Sequence, residues 1–337
     1  MYIINKIGLQ LLKMKNLTIG IVTVVFIALC TITIYFLEPE NFESLPNSFY
    51  YVMTTFSTVG YGDYSPVTMP GKIFAVFMYL IGIGLLGVVI GKIVDAFNIF
   101  RKKREEGKLS YLKENHIVIV GWGKKTEAAV HEILQSDKKK EVVVIAQLEK
   151  SPFDLSLERV HFIQGDPTDE TTYESANIQD AMSVIVFSDD LIQDSSLQDA
   201  KTLSIAITVE RVAPKVHTTV EVMTEKHTTN FTHVKVDEFI LSQETISSLA
   251  VRSAMYIGVS QVYTQLISRQ YGENLYKVTR KVEWETYRDA FLDLLQEGAT
   301  LIADGNRLDI NRRLDEKIPE TAALYVICSS DVYQKIG

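Results

Sequence analysis

Apolar and polar positions divide this chain of 337 residues into stretches with different rhythms. Leu17 to Leu37 is a run of 21 residues without a charge. At 1.5 Å per residue it reaches about 31 Å, the thickness of a bilayer core. Gly71 to Phe100 is a second apolar run, interrupted only by Lys72, Lys92 and Asp95. At about 45 Å it is longer than the hydrocarbon requires, so its last turns are expected to project beyond it. Between the two, Pro46 to Ser57 (PNSFYYVMTTFS) is apolar and aromatic but too short to cross. It suits a re-entrant helix with Pro46 near its first turn.

Past residue 115 the rhythm changes to short β-branched runs between helical patterns. His116 to Val120 is a strand leading into a G-x-G turn at Gly121 and Gly123, and Glu127 to Leu134 reads as a helix. Further strands are expected at Glu141–Ala146, Val160–Ile163, Ser183–Phe187, Val216–Met223 and Asp237–Leu241, with a helix at Leu197–Glu210. Strands alternating with helices imply a parallel, doubly wound sheet. Gln243 to Ile257 continues as a helix. Residues 273–337 read as a smaller α+β lobe, with strands at Leu275–Trp284, Ala299–Ala303 and Leu324–Cys328 and a helix at Tyr287–Gln296. The divisions are therefore an N-terminal segment 1–16, a membrane part 17–100, a charged connector 101–115, an α/β lobe 116–242, crossover helices 243–272 and the final lobe 273–337.

Chemistry concentrates between the two apolar runs, where Thr58-Val59-Gly60-Tyr61-Gly62-Asp63 follows the short helix. A potassium-selective pore needs rings of backbone carbonyls that replace the water around the ion. Glycines let the backbone turn those carbonyls inward, because they tolerate positive φ. Thr58 would add its hydroxyl, Asp63 would concentrate cations outside, and Val59 and Tyr61 would anchor the strand from behind. The preceding half-helix would aim the negative end of its dipole at the cavity. Tyr50 and Tyr51 would either form an aromatic cuff around the filter or lie at the membrane interface. K+ is bound at Thr58, Val59, Gly60 and Tyr61 in this reading, and one chain supplies a quarter of the ring, so a homotetramer is implied. In the second apolar run, Gly82, Gly84 and Gly87 are candidate gating hinges, and Gly87 with Gly91 alternatively forms a helix-packing pair.

Charge refines the picture. The formal net charge of −8 belongs mostly to residues beyond 100, which argues against a nucleic-acid partner. Lys6, Lys13 and Lys15 precede the first run and Arg101, Lys102, Lys103 and Arg104 follow the second, while the segment between carries Glu38, Glu40, Glu43 and Asp63. The positive-inside rule then expects a multi-pass protein of the cell membrane, in contact with lipid, with both termini cytoplasmic. The only cysteines, Cys30 and Cys328, do not suggest a disulfide framework. The G-x-G turn is an incomplete dinucleotide fingerprint: Thr126 stands at the third glycine position, and Gln147 at the ribose-binding end of the second strand.

STVGYGDYSP at Ser57–Pro66, VIVGW at Val118–Trp122, HFIQGDPTDE at His161–Glu170 and SVIVF at Ser183–Phe187 resemble the prokaryotic potassium channels with two transmembrane helices and an RCK (regulator of K+ conductance) domain. The resemblance implies a fold class of membrane α-helical pore, with a re-entrant pore helix, followed by a Rossmann-like RCK domain and a small C-terminal lobe. It implies potassium conduction gated by a ligand on a ring of RCK domains paired through the crossover helices, Leu249, Val251, Met255 and Ile257 being the candidate contacts. In calcium-gated members, acidic residues after the fourth strand and on the fifth hold the ion. Here those positions read Phe187, Glu221 and Met223, so only Glu221 is kept, and Asp189, Asp190 and Asp194 lie near. A regulatory cation at Asp189, Asp190 and Glu221, or a nucleotide at Gly121, Gly123, Gln147, Asp166 and Glu221, are both open, and the ligand is not identified. The ring can include additional RCK subunits; as no Met occurs between Met78 and Met182, these would need an unusual start codon, a separate gene product or another arrangement of the RCK domains. Two other classes compete: a membrane-tethered NAD-dependent enzyme, for which no catalytic constellation is present, and a nucleotide-binding regulatory subunit of a K+ transport system, which would lack its own pore.

Overall fold

The computed structural model describes residues 16–268 and 272–336 and divides after Lys102 into two units. Lys6, Lys13 and Lys15, positions 269–271 of the crossover segment and residue 337 lie outside the described residues.

The first unit is helical. Helix α1 (Asn16–Leu37) carries no charge and has a mean hydropathy of 2.6 over its most apolar window. Two of its hydroxyls are satisfied internally, Thr23 and Thr31 donating to the carbonyls of Ile19 and Ile27, as suits hydrocarbon. A single turn, α2 (Pro39–Phe42), leads to α3 (Leu45–Phe56). Ser44 caps α3 by accepting the Asn47 amide, and Pro46 sits in the first turn, where its missing N–H costs nothing. Helix α4 (Met69–Glu105) then runs unbroken through all its glycines. Ile34, Phe42, Tyr51, Val52, Phe56 and Met78 form the core of this unit.

The sequence reading ended the second span at Phe100 and began a connector at Arg101. The helix instead continues to Glu105, because Arg, Lys and Glu are good helix formers. It stops at Gly107, whose φ of 64° and bond to the Arg104 carbonyl make the left-handed cap.

The second unit holds two sheets. Strands and helices alternate as β1 (Ile117–Val120), α5 (Lys124–Ser136), β2 (Val142–Ala146), β3 (Val160–Gln164), α6 (Glu170–Ser175), β4 (Ser183–Val186), α7 (Ser195–Val212), β5 (His217–Val222) and β6 (Glu238–Leu241). All pairings are parallel, in the order β3-β2-β1-β4-β5-β6. Both faces are covered, by clusters around Val118, Val184 and Val220 on one side and Ile119, Val142 and Val144 on the other. That is why these strands read as continuous apolar runs. Helices α8 (Ser242–Met255) and α9 (Val259–Ile267) bury no residue of their own.

The last lobe contains β7 (Asn274–Val278), α10 (Tyr287–Gln296), β8 (Thr300–Asp304), β9 (Leu324–Cys328) and α11 (Ser330–Ile336), with an antiparallel sheet in the order β7-β9-β8. The strand expected over Leu275–Trp284 ends early. Arg280 folds back to donate to the Trp284 carbonyl and closes a loop. Trp284 is buried there, its indole N–H bonded to Asp293.

The connector is stitched onto the α/β lobe. The Gln164 amide donates to the Gly107 carbonyl, the Tyr111 amide to Ser175, and His161 Nε2 lies 2.7 Å from the Leu109 carbonyl oxygen. Tyr111 sits between His116 and His161, and its hydroxyl donates to Glu141.

Candidate functional site

Two sites emerge, one in each unit. The first follows the C-terminal end of α3. The amides of Val59 and Gly60 both turn back to the Thr54 carbonyl, at 2.9 and 3.1 Å. Beyond them the backbone alternates hand: Thr58, Gly60 and Gly62 have φ of 58°, 55° and 78°, while Val59 and Tyr61 do not cross into positive φ. Such alternation turns successive carbonyls to one side, the geometry a carbonyl-lined filter uses. Tyr50 stacks on Tyr61, with ring centroids 6.3 Å apart and planes nearly parallel, and so backs the filter. Tyr51 points elsewhere, its hydroxyl 2.6 Å from that of Tyr79. Of the two tyrosines considered for a cuff, only Tyr50 stands beside the filter. Asp63 accepts the Tyr64 amide at the rim.

A residue that sequence reasoning passed over braces this segment. Glu38, 2 % exposed, accepts both the amide and the hydroxyl of Thr68, at 2.7 and 2.6 Å. It thereby ties the end of α1 to the start of α4. The available signal was a carboxylate placed directly after an uncharged run. Of the three candidate hinge glycines, Gly82 packs against the Phe56 ring, whereas Gly84 and Gly87 face open space.

The second site lies where β1 and β4 are neighbours but their connections leave in opposite directions, the position at which doubly wound sheets bind ligands. Gly121 takes φ of 101° and donates to the Ile145 carbonyl. Gly123 begins α5 without a side-chain cap, so the first amides of that helix face the crevice as an anion-binding terminus. The cavity, about 210 Å³, is lined by Gly121, Gly123, Gln147, Pro167, Ser188 and Lys201 among others. Two sequence candidates stand apart from this lining. Asp166 folds onto Thr168, and those bonds hold its carboxyl below the usual range. Glu221 lies behind the wall on β5.

The three acidic candidates do not share one centre. Asp189 pairs with Lys201 at 2.7 Å, whereas Asp190 and Glu221 both pair with Lys125, at 2.8 and 2.7 Å. Among the described residues no group of three or more His, Cys, Asp or Glu side chains is arranged to hold a metal. Asp194, considered nearby, caps α7 through the amides of Ser196 and Leu197. Lys125 is the residue that sequence reasoning missed. Burial alone would raise the Glu221 carboxyl, but the bonds from Lys125 and Ser188 hold it below its ordinary range.

Comparison with known proteins draws the two sites together. Residues 21–98 match the ion channel family, and residues 117–242 match the TrkA-N domain. YugO of Bacillus subtilis (strain 168), a protein carrying a potassium-channel name, is 32% identical over 232 residues, covering 68% of this chain and 69% of its own. The chain belongs to the potassium channels that carry a TrkA-N (RCK) domain. The calcium-gated potassium channel TvoK of Thermoplasma volcanium is 29% identical over 270 residues, 77% of this chain and 76% of that one. The solved GsuK channel shares the fold at 15% identity and a TM-score of 0.50, covering 93% of this chain and 56% of that structure. The carbonyl segment lies within the part that matches the ion channel family, and the crevice within the part that matches the TrkA-N domain. Membership of a channel family, which is not an enzyme class, favours the potassium-channel reading of the whole chain over the tethered enzyme and the pore-less subunit.

Proposed function

We propose that this ligand-gated potassium channel takes a nucleotide as its gating ligand, held at the glycine turn between β1 and β4. The observation that carries the reading is the uncapped N-terminus of α5 opening onto a cavity with a positive-φ glycine on one side and Gln147 on the other. Helix amides favour a phosphate, and Lys201 adds a positive charge on the cavity wall. Gln147 offers an amide to a ribose hydroxyl without a fixed charge, which leaves the ribose 2′ position free to be either hydroxyl or phosphate. A divalent cation shared by Asp189, Asp190 and Glu221 is the second reading. It is disfavoured because the three carboxylates are already neutralised by lysines, Asp189 by Lys201 and both Asp190 and Glu221 by Lys125.

Four copies would complete the filter ring, with both termini on the cytoplasmic side and RCK domains paired through α8 and α9. Selectivity is tested by reconstituted flux: potassium passes and sodium passes poorly, and equal permeation would refute the filter assignment. The ligand is tested on the full-length channel in detergent, by thermal unfolding during titration with ADP, ATP and NAD. A nucleotide that binds only the folded state at 100 times its Kd adds about 2.7 kcal/mol. No shift with any of the three would refute the nucleotide reading.

A further inference from the structure

The ammonium of Lys125 has an unusual set of neighbours. It lies 2.7 Å from Glu221 Oε2, 2.8 Å from Asp190 Oδ1, 3.2 Å from Ser188 Oγ and 3.3 Å from the Ser188 carbonyl oxygen. Two carboxylates, a hydroxyl and a backbone carbonyl therefore converge on one positive charge. This is the donor set that a hard divalent cation takes. The set is also prearranged. Glu221 and Ser188 are almost completely buried, and the Glu221 carboxylate is fixed independently of Lys125 by the Ser188 amide at 2.9 Å and hydroxyl at 2.6 Å. A carboxylate at that depth requires a compensating cation. Access from solvent exists on the Asp190 side, where the carboxylate is half exposed.

We propose that Lys125 is a tethered cation filling what would otherwise be a divalent-cation site. Its side chain reaches from the second residue of α5 into the oxygen cluster, and the charge it brings is covalently attached and always present. Calcium cannot compete at this position while the ammonium is in place. The site is thereby closed to divalent signals and locked to α5, which also carries the glycine turn. Lys125, Ser188 and Asp190 also line the cavity, but this inference does not depend on the nucleotide reading, because the calcium response of a Lys125 variant is read with no nucleotide present.

The test uses the full-length channel in detergent, as wild type, Lys125→Met, Lys125→Arg, Glu221→Gln and Lys125→Met/Glu221→Gln. Each is unfolded thermally in chelator and again in millimolar calcium chloride, and bound calcium is measured by equilibrium dialysis. Lys125→Met should melt below wild type in chelator and regain several degrees in calcium, while binding one calcium per chain. Lys125→Arg should remain unresponsive, and the double variant should lose the calcium response. A Lys125→Met chain that folds only in calcium and unfolds on chelation gives the same answer. The proposal is overturned if calcium fails to rescue Lys125→Met, whether or not that chain folds. It is equally overturned if calcium stabilises the wild type through Glu221, read as a shift that Glu221→Gln abolishes.

Discussion

Gly82 lacks a side chain because Phe56 leaves no room for one. A Cβ there would stand 2.4 Å from the ring, and that ring is itself stacked on Phe26 at 5.8 Å. A buried ring held between two helices has little freedom to yield. Gly82→Val is therefore expected to prevent pore assembly, seen as loss of the folded oligomer on size exclusion. Gly84→Ala and Gly87→Ala meet nothing within 4 Å and should assemble normally. If either of those glycines is a hinge, its alanine variant will change open probability in single-channel records while leaving selectivity intact. Normal assembly of Gly82→Val would show that the Phe56 contact is dispensable. The same contrast explains what could be read from sequence at this scale. The alternating backbone of the proposed filter segment could be expected from sequence because it is written locally, as glycines at alternate positions. The contacts of Glu38 and Lys125 could not, because their partners Thr68 and Glu221 lie 30 and 96 positions away. Nothing near either residue in sequence announces those meetings.

Among the elements, the connector departs most from expectation. Read as a charged linker, it is instead held to the lobe by backbone bonds between Gly107 and Gln164 and between Tyr111 and Ser175. Such bonds leave no side-chain pattern, which is why no periodicity betrayed them. The six parallel strands, by contrast, were visible because burial on both faces forces uninterrupted β-branched runs. Gly107→Ala should be costly, since the position combines φ of 64° with a backbone nitrogen 2.5 Å from the added carbon. The expected loss exceeds about 1 kcal/mol, measured as a lower unfolding midpoint, and an unchanged midpoint would show that the docking contributes nothing. Acid should loosen the same element. Burial pushes His116 and His161 below their ordinary pKa of 6.5, against the opposing pull of Glu141, with Asp180 acting likewise on His116. Lys113 and Arg104 push His161 down further. Below pH 6.5 the unfolded chain takes up protons that the folded one resists, so stability falls as pH drops through that range. Amide exchange at Leu109 to Tyr111 should accelerate on acidification, and His161→Gln should reduce the pH dependence; exchange independent of pH would contradict the assignment.

In the molecule as a whole, conduction and response are assigned to separate cores. The filter rests on the core around Phe42, Tyr51 and Met78, while the ligand crevice and the C-terminal lobe rest on cores of their own. Cys30 and Cys328 are both buried, free thiols, and no disulfide links the units among the described residues. Communication among copies would then use exposed surface, and α8 with α9 is the surface proposed for it. Ile246, Val251, Met255, Ile257, Val262 and Ile267 are all exposed, although α8 and α9 are too short and too apolar on that side to be left in water. Apolar patches of this kind mark association surfaces, and Val251, Met255 and Ile257 were candidate contacts on the strength of the family resemblance. Leu249, the fourth expected contact, is only partly exposed. Replacing Met255 and Ile257 together by Asp should leave the α/β lobe folded, because neither side chain contributes to its core. It should separate paired RCK domains, read as loss of cross-links between cytoplasmic parts of neighbouring subunits in the detergent-solubilised channel. Potassium selectivity should survive, since the carbonyl segment belongs to the other unit, while the response of open probability to ligand should disappear. Retained ligand response with the pairing broken would mean that each RCK domain acts on its own inner helix without a ring.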